Sequence, residues 1–319
     1  MPDRLPYGLD RLGSYGYQVT AAPPYAAGPV GRHAARAARA LGRYEWAETW
    51  RKAELQGSAD LCVCWDERAG LPSILRGGVP VATGVIALTD RDRTHRRLAA
   101  PLLRRAHRVW ALSSAQLPVL HDELGVPEHR LRHLLFGIDG EFFTLGDDEP
   151  VPGLVASAGN DRDRDHHTVV RAMCLVRQSI GHARFKIATQ HDVPVPAELG
   201  VRHPHLSHPQ LRELYWRSQV VVVALRPNVH VSGMTVALEA MACGRPIVIT
   251  ATPGMSDYVS SEWGVLVPPG DADALAAAII RLLRDPAEAT ALGAAGHKAV
   301  QEQFTTERQA QRLAELLRD

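Results

Sequence analysis

The chain has 319 residues, 45% of them hydrophobic, which is enough for two domains that each bury a core. The formal net charge is +1 and aromatic residues make up 6%, so no global basic field favours binding to nucleic acid. Four cysteines in a chain of this length do not predict a disulfide framework, and reduced thiols are the simpler interpretation. No apolar run is long enough to span a bilayer, and we expect a cytoplasmic protein without a signal peptide.

The first thirty residues are rich in Gly, Pro and Tyr, whereas a doubly wound domain normally begins with a buried apolar strand. Residues 7–20, YGLDRLGSYGYQVT, instead predict a helix followed by the second strand of such a domain. Two alternatives stay open: the first strand is missing from this chain, or the start is unusual. The stretch from Arg32 to Glu54 predicts a long helix with a solvated, arginine-rich face.

Two predicted strands then end in polar residues, at 59–67 (ADLCVCWDE) and at 79–90. In open α/β sheets, ligand groups lie at the carboxyl ends of the strands. Asp66 and Glu67 are therefore candidates to face a ligand cleft, and Asp90 ends the second strand. Either Asp66 or Glu67 could equally cap the helix that we expect to begin near Ala69.

In the second half of the chain, apolar strands alternate with helices. Strands are predicted at 153–159, at 183–190 and over the continuously apolar run 219–225, which is typical of a parallel strand covered on both faces. A loop, NDRDRDHH, leads into a helix near Thr168, and the tail from Ala272 to Leu317 is predicted to be helical.

The most informative stretch is 228–250, NVHVSGMTVALEAMACGRPIVIT. It predicts a glycine-bearing loop, a helix from Thr235 to Ala242, and a strand from Ile247 to Thr250. A helix entered through small residues offers unpaired N–H groups and a positive dipole end, which together bind phosphate. Glu239 lies one turn after Thr235 and leans back toward that end, where it could hold ribose hydroxyls. The stretch therefore predicts a nucleotide-sugar site.

The segment LEAMACGRPIV resembles the second half of the donor-binding motif of retaining glycosyltransferases with the GT-B fold, especially family 4. Residues 108–143 resemble the end of that family's first domain, including L-G-V-P and G-I-D-x-x-x-F. Residues 252–271 resemble its motif G-x-L-V-P-P-G-D, with Asp257 where glutamate is commoner. The resemblance covers most of the chain and is strongest from Arg108 onward.

The resemblance implies an α/β protein of GT-B architecture, with two Rossmann-like doubly wound domains facing a central cleft. Residues 1–146 would form the acceptor-binding domain and residues 147–319 the domain that binds the nucleotide-sugar donor. The acidic, proline-bearing segment 144–153 would be the linker.

The resemblance also assigns site residues one by one. Arg164 falls at the family's lysine position, with Arg162 or Asn160 near its arginine, and arginine suits phosphate. The family's first glutamate falls at Val231, so a carboxylate that touches the donor sugar is absent and His230 is the candidate to replace it. The donor-binding set is Asn160, Arg162, Arg164, Ser232, Gly233, Met234, Thr235 and Glu239; the catalytic set is Arg164, Glu239 and His230; the acceptor-side set is Asp66, Glu67 and Asp90.

The implied activity is transfer of a sugar from a UDP- or GDP-linked donor to a small-molecule, glycan or lipid-linked acceptor, with retention of anomeric configuration. No metal and no further cofactor are expected, and the adjacent His166 and His167 point to different faces, unlike metal ligands. Alternatives are a GT-B sugar-nucleotide epimerase or phosphorylase, and a catalytically silent homologue that binds a nucleotide sugar or a partner protein. The basic segment from Arg91 to Arg108 is interpreted as a solvated helix face, with peripheral docking to a membrane as the alternative.

Overall fold

The computed structural model describes residues 5–21, 58–147 and 149–318. The helix predicted from Arg32 to Glu54 lies outside the described residues. The chain forms two compact units: an N-terminal unit, drawn from residues 3–134 and 310–319, and a C-terminal unit of residues 135–309. The predicted domain boundary at 146/147 stays a prediction.

The N-terminal unit is built on a parallel sheet of four described strands in the order β1-β2-β3-β4. The strands are β1 (Cys62–Cys64), β2 (Val81–Val85), β3 (Arg108–Ala111) and β4 (Leu131–His133), and the helices are α1 (Glu67–Arg76) and α2 (Arg93–Leu103). Asp66 caps α1 by accepting a hydrogen bond from the Arg68 backbone N–H, and Asp92 caps α2. Short helical turns occupy Leu88–Asp90, Gln116–Pro118, Val119–Glu123 and Glu128–Arg130.

Strands β2 and β3 lie in the middle of this sheet, and every residue in them is buried. Trp110 and Leu103 are among the largest fully buried side chains. Full burial of neighbouring parallel strands indicates cover on both faces, as in a doubly wound domain.

The start of the described chain differs from the prediction. A 3₁₀ helix, Pro6–Tyr15, ends at Gly16, whose left-handed φ is 90°, but residues 17–20 form no strand. The Tyr17 hydroxyl instead donates to the Ala314 carbonyl at 3.1 Å, within the last helix, α8 (Thr306–Arg318). The predicted second strand is therefore wrong, because this segment is fixed by a side-chain bond to a helix and not by a ladder of backbone bonds.

The C-terminal unit contains a six-stranded parallel sheet in the order β10-β9-β8-β5-β6-β7. Its strands are β5 (Leu154–Ala158), β6 (Arg184–Ala188), β7 (Gly200–His203), β8 (Val220–Val223), β9 (Ile247–Thr250) and β10 (Val265–Val267). The helices are α3 (His166–Ser179), α4 (His208–Arg217), α5 (Met234–Ala242), α6 (Ala272–Arg284) and α7 (Pro286–Gln303). The α/β class and the predicted bounds of β9 are confirmed, and α5 begins one residue before its predicted start at Thr235.

Helix α2 carries only part of the basic segment predicted from Arg91 to Arg108, because Arg108 is a buried residue of β3. Arg93 and Arg97 are exposed on it, and so is Leu98, which keeps 74% of its surface. Docking of this helix to a membrane stays a prediction. None of the described helices is long and apolar enough to cross a bilayer.

Candidate functional site

Two loops meet at the carboxyl edge of the C-terminal sheet, because β5 and β8 are neighbours in it. One loop, 159–165, joins β5 to α3, and the other, 224–233, joins β8 to α5. Backbone bonds connect the loops: the Asp165 N–H donates to the Ala224 carbonyl at 2.9 Å and the Arg226 N–H to the Asp163 carbonyl at 2.8 Å. This edge is where open α/β sheets bind ligands.

Arg164 lies between these loops and is 6% exposed. Its guanidinium occupies space that a Cβ atom at Gly159 or Gly233 would enter, so both positions require glycine. Burial lowers its pKa, against the opposing charges of Asp161 and Glu239. Its Nε and Nη1 atoms have no hydrogen-bond partner in the described part of the chain. Such burial is costly unless an anion completes the guanidinium's hydrogen bonds.

Helix α5 begins beside this guanidinium. Gly233 is its N-cap residue with a left-handed φ of 94°, and no described side chain accepts from the first turn. Met234 and Thr235 are the first residues of the helix. The preceding loop is held by Asn228, whose Oδ1 accepts from the Ser232 N–H at 3.0 Å. The Met234 N–H donates to the Val231 carbonyl at 3.3 Å, and no described side chain caps the rest of the first turn. Such a helix end next to a buried arginine suits an anionic ligand.

Glu239 lies farther along α5 and is 7% exposed. The Tyr215 hydroxyl on α4 donates to its Oε2 at 2.9 Å. Burial raises the pKa of Glu239 to about 7, although the bond from Tyr215 and the charge of Arg164 act in the opposite direction. The carboxylate is therefore placed near the Arg164 guanidinium, and its ionisation changes near neutral pH.

His230 is buried between two aspartates of the other loop. Its Nε2 lies 3.4 Å from Asp161 Oδ2 and its Nδ1 lies 3.8 Å from Asp163 Oδ2. The Ser232 hydroxyl donates to Asp161 Oδ1 at 2.7 Å. Partial burial would raise the pKa of Asp161, but the bonds from His230 and Ser232 outweigh it and hold that pKa well below its usual range. This network joins the two loops.

Asp161, Asp163 and His230 also bring three ligand-type atoms within 4.8 Å of one another. Two carboxylates and one imidazole in a compact group can bind a divalent cation. Asp161, however, already accepts from His230 and Ser232, which accounts for its position without an ion. The predicted absence of a metal stays a prediction.

Val231 stands at the position of the family's first glutamate, with a left-handed φ of 52° and 1% exposure. A β-branched residue in this conformation is a genuine outlier, and it costs about 1–3 kcal/mol. The loop thus keeps a strained backbone at the site while presenting an apolar side chain in place of a carboxylate.

Asn160 and Arg162, which are also predicted to bind the donor, contact neighbouring residues in the structure. Asn160 Oδ1 accepts from the Gln190 N–H at 2.6 Å and from the Thr189 hydroxyl at 3.2 Å. Arg162 pairs with Asp163 at 3.2 Å and keeps 44% of its side chain exposed. Both residues lie on the loop that carries Arg164, at the edge of the site.

The acceptor-side candidates belong to the N-terminal unit. Asp66 binds the Arg68 side chain at 2.8 Å besides capping α1. Glu67 accepts from the Ile86 and Ala87 N–H groups at 2.8 and 3.0 Å, and burial raises its pKa against the effect of the Ile86 bond. Asp90 lies in the turn Leu88–Asp90 after β2. The acceptor role of these carboxylates stays a prediction.

The structure therefore brings Arg164, Gly233 and Glu239 together and connects His230 with Ser232. Sequence reasoning missed three partners, Asp161, Asp163 and Tyr215. Tyr215 ends the segment QLRELY, which resembles a family helix of the type E-L-x-x-L-Y with Gln210 in place of the glutamate, and that resemblance is a signal that could have found it.

Comparison with known proteins places this chain beside glycosyltransferases. Residues 149–285 match the family described as "Glycosyl transferases group 1". A GDP-mannose-dependent monoacylated alpha-(1-6)-phosphatidylinositol monomannoside mannosyltransferase of Corynebacterium glutamicum is 37% identical over 82 residues, covering 26% of this chain and 22% of that protein. The chain thus spans under a quarter of the length of this relative.

Two solved structures show the fold. Sucrose-phosphate synthase of Thermosynechococcus elongatus aligns with a TM-score of 0.70 and 23% identity, over 86% of this chain and 77% of its own. HepE of Anabaena, in complex with UDP and glucose, aligns with a TM-score of 0.72 and 16% identity, over 86% and 81%. The resemblance predicted from the sequence is confirmed: the chain is a GT-B protein similar to family-4 glycosyltransferases, with residues 149–285 carrying the family match.

Proposed function

We propose that this protein is a glycosyltransferase that takes its sugar from a nucleotide-diphosphate donor. The observation that carries the proposal is the buried Arg164 guanidinium, which lacks a partner for Nε and Nη1 among the described residues and lies against the Gly233 turn. Breaking the bond between sugar and diphosphate develops negative charge on the leaving phosphate. Arg164 and the first N–H groups of α5 would stabilise that charge.

The remaining roles follow from position. Glu239, near the same guanidinium, would accept hydrogen bonds from the ribose hydroxyls of the donor. His230, which two aspartates orient, would hydrogen-bond the donor sugar where Val231 leaves no carboxylate. Asn160 and Arg162 would contact the outer side of the diphosphate. In a retaining reaction of this kind, the departing phosphate oxygen takes the proton from the acceptor hydroxyl, so no separate base is required.

The donor and acceptor classes are proposed from the relatives. HepE was solved with UDP and glucose, and the mannosyltransferase relative is named for GDP-mannose and a phosphatidylinositol mannoside. We therefore propose a UDP- or GDP-linked hexose as donor and a sugar or lipid-linked hydroxyl compound as acceptor. A lipid-linked acceptor would bring the protein to the cytoplasmic membrane face, where the basic surface of α2 could contact anionic lipid.

The test is a screen of UDP- and GDP-hexoses for thermal stabilisation, followed by an assay for release of the nucleoside diphosphate. A ligand at 100 times its Kd stabilises the native state by about 2.7 kcal/mol, so we expect a rise in Tm of several degrees for one nucleotide class. Hydrolysis or transfer of that donor should follow. If no nucleotide sugar raises the Tm and none is consumed in the assay, the proposed function is wrong.

A catalytically silent homologue is the second candidate, and Val231 is the observation that favours it. This candidate predicts that a nucleotide raises the Tm while no donor is hydrolysed or transferred to any acceptor. Substituting Val231→Glu would then test whether the missing carboxylate alone explains the silence, because the variant restores the residue type that the family has there.

Treatment with EDTA should leave donor turnover within about twofold of its original rate, because Arg164 and the α5 N–H groups supply the charge that a metal supplies elsewhere. Activity is measured before chelation, after it, and after Mn²⁺ or Mg²⁺ is added back. The opposite result would be a loss on chelation that Mn²⁺ restores in the wild type but not in Asp163→Asn. It would place a cation at Asp161, Asp163 and His230.

A further inference from the structure

An aromatic stack lies at the carboxyl edge of the N-terminal sheet, outside the residues discussed so far. Trp65 is the first residue after β1, and the Tyr7 ring lies over it with centroids 4.3 Å apart and planes 10° from parallel. Behind Trp65, the Trp110 ring is tilted by 57° at 6.3 Å. The edge after parallel strands is the usual ligand-binding edge of such a sheet.

The stack has a buried side and a solvent-facing side. Trp65 is 8% exposed, whereas Tyr7 keeps 42% of its surface accessible. In the part of the chain that the structure describes, Tyr7 is the one aromatic residue in the exposed class. Tyr7 therefore covers Trp65 while a large part of its own surface stays accessible to a ligand.

The backbone beneath Tyr7 is strained. Its φ of 62° is left-handed, and Val231 at the donor loop is the other described non-glycine residue with a positive φ. A bulky residue adopts this conformation only where its surroundings hold it, and such residues cluster at ligand sites. Stacking on Trp65 is one contact that holds Tyr7 in this conformation.

The charged groups beside the stack already have partners. Asp66 binds the Arg68 backbone and side chain, and Glu67 binds the N–H groups of Ile86 and Ala87. A ligand at this place would therefore meet an electron-rich aromatic face before it met a free carboxylate. Aromatic faces carry negative partial charge and attract the polarised C–H groups of a flat apolar surface.

We propose that the Tyr7–Trp65 stack is the subsite that binds a pyranose ring of the acceptor, through the C–H groups on one face of that ring. This inference rests on the proposed function for its acceptor, but it concerns a different unit of the chain. A pyranose fits because it combines an apolar C–H face, which can lie on Tyr7, with outward hydroxyls that remain hydrated or available for transfer.

The test is saturation-transfer NMR on the full chain, with methyl α-D-mannopyranoside and methyl α-D-glucopyranoside as probes. We expect saturation on the ring protons of one face for the wild type and for Tyr7→Phe. For Tyr7→Ala, we expect the apparent Kd to rise roughly three- to tenfold. Glycerol, which has hydroxyls but no ring, should show no difference among the three proteins.

Absence of saturation in the wild type would overturn the inference, and so would equal Kd values for wild type and Tyr7→Ala. Circular dichroism would show whether Tyr7→Ala lowers the Tm while Tyr7→Phe does not. In that case Tyr7→Leu, which keeps the apolar cover over Trp65 but has no ring, must also lose sugar binding. Failure of donor hydrolysis in the wild type would contradict the proposed function, while ring binding would still be measured independently.

Discussion

Arg164→Ala is expected to lower kcat for sugar transfer by roughly 10²–10³-fold, with a smaller change in KM for the donor. A loss in kcat of this size is typical when one preorganised hydrogen-bond donor to a developing anion is removed. The physical reason is that the guanidinium is held by Gly159 and Gly233 in a buried place, so its charge acts in a low dielectric. Steady-state kinetics with the donor identified by the thermal screen give both constants.

Two further variants make this result specific. Arg164→Lys should retain part of the rate, because lysine keeps the positive charge but not the planar fork. Arg171→Ala removes an exposed arginine from α3, a short distance along the chain, and should change neither constant. If Arg164→Ala and Arg171→Ala both turn over the donor at the wild-type rate, the Arg164 guanidinium is not part of the catalytic site.

Local sequence signals were sufficient for the elements that build this site. Gly233 begins α5 with a left-handed φ, Gly244 follows its end with another, and Pro246 precedes β9. Each of these residues acts on the backbone within one or two positions, so their effect can be predicted from the sequence alone. The apolar run that forms β8 is equally local, because full burial on both faces of a parallel strand leaves no polar position.

Contacts between distant residues could not be predicted in this way. The Tyr215 bond to Glu239 joins two helices, and the Ser232 bond to Asp161 joins two loops that are 71 residues apart. Neither pair leaves a periodic signal, since the partners meet only after β5, β8 and their neighbours have formed the sheet. The incorrect strand at 17–20 has a similar cause, because Tyr17 is fixed by the distant Ala314 carbonyl. Tyr7 was equally hidden, since its stacking partner is 58 residues away.

Glu239→Gln is expected to weaken nucleotide binding roughly 10–100-fold above pH 7, because hydrogen bonds from ribose hydroxyls to a charged acceptor contribute about 1.5–3 kcal/mol. The pKa of Glu239, raised to about 7, sets the pH dependence. Below that pH the wild-type carboxyl gains a proton and loses acceptor capacity, so its affinity should fall toward that of the variant. Titration calorimetry with the nucleotide sugar between pH 6 and 8.5 measures both trends.

The same substitution should stabilise the free protein at high pH. A carboxyl whose pKa rises on folding, here from 4.5 to about 7, stabilises the folded state while it is protonated, and the folded state loses that advantage as pH rises between these values. The cost at pH 8 is roughly 3 kcal/mol, which the neutral glutamine does not carry. Glu239→Gln should therefore raise the Tm at pH 8 and change it little near pH 4.5.

A substitution that raises the Tm but weakens nucleotide binding identifies a functional residue, because a binding site keeps polar groups that destabilise the protein when no ligand is bound. Glu213→Gln provides the matched control, since Glu213 is exposed on α4 two residues before Tyr215. It should alter neither the Tm profile nor the Kd. If Glu239→Gln binds the nucleotide sugar with wild-type affinity, Glu239 does not bind the ribose, even if the Tm at pH 8 rises as expected. A lower Tm at pH 8 would instead mean that the carboxylate serves the fold, as a partner that Tyr215 and Arg164 require.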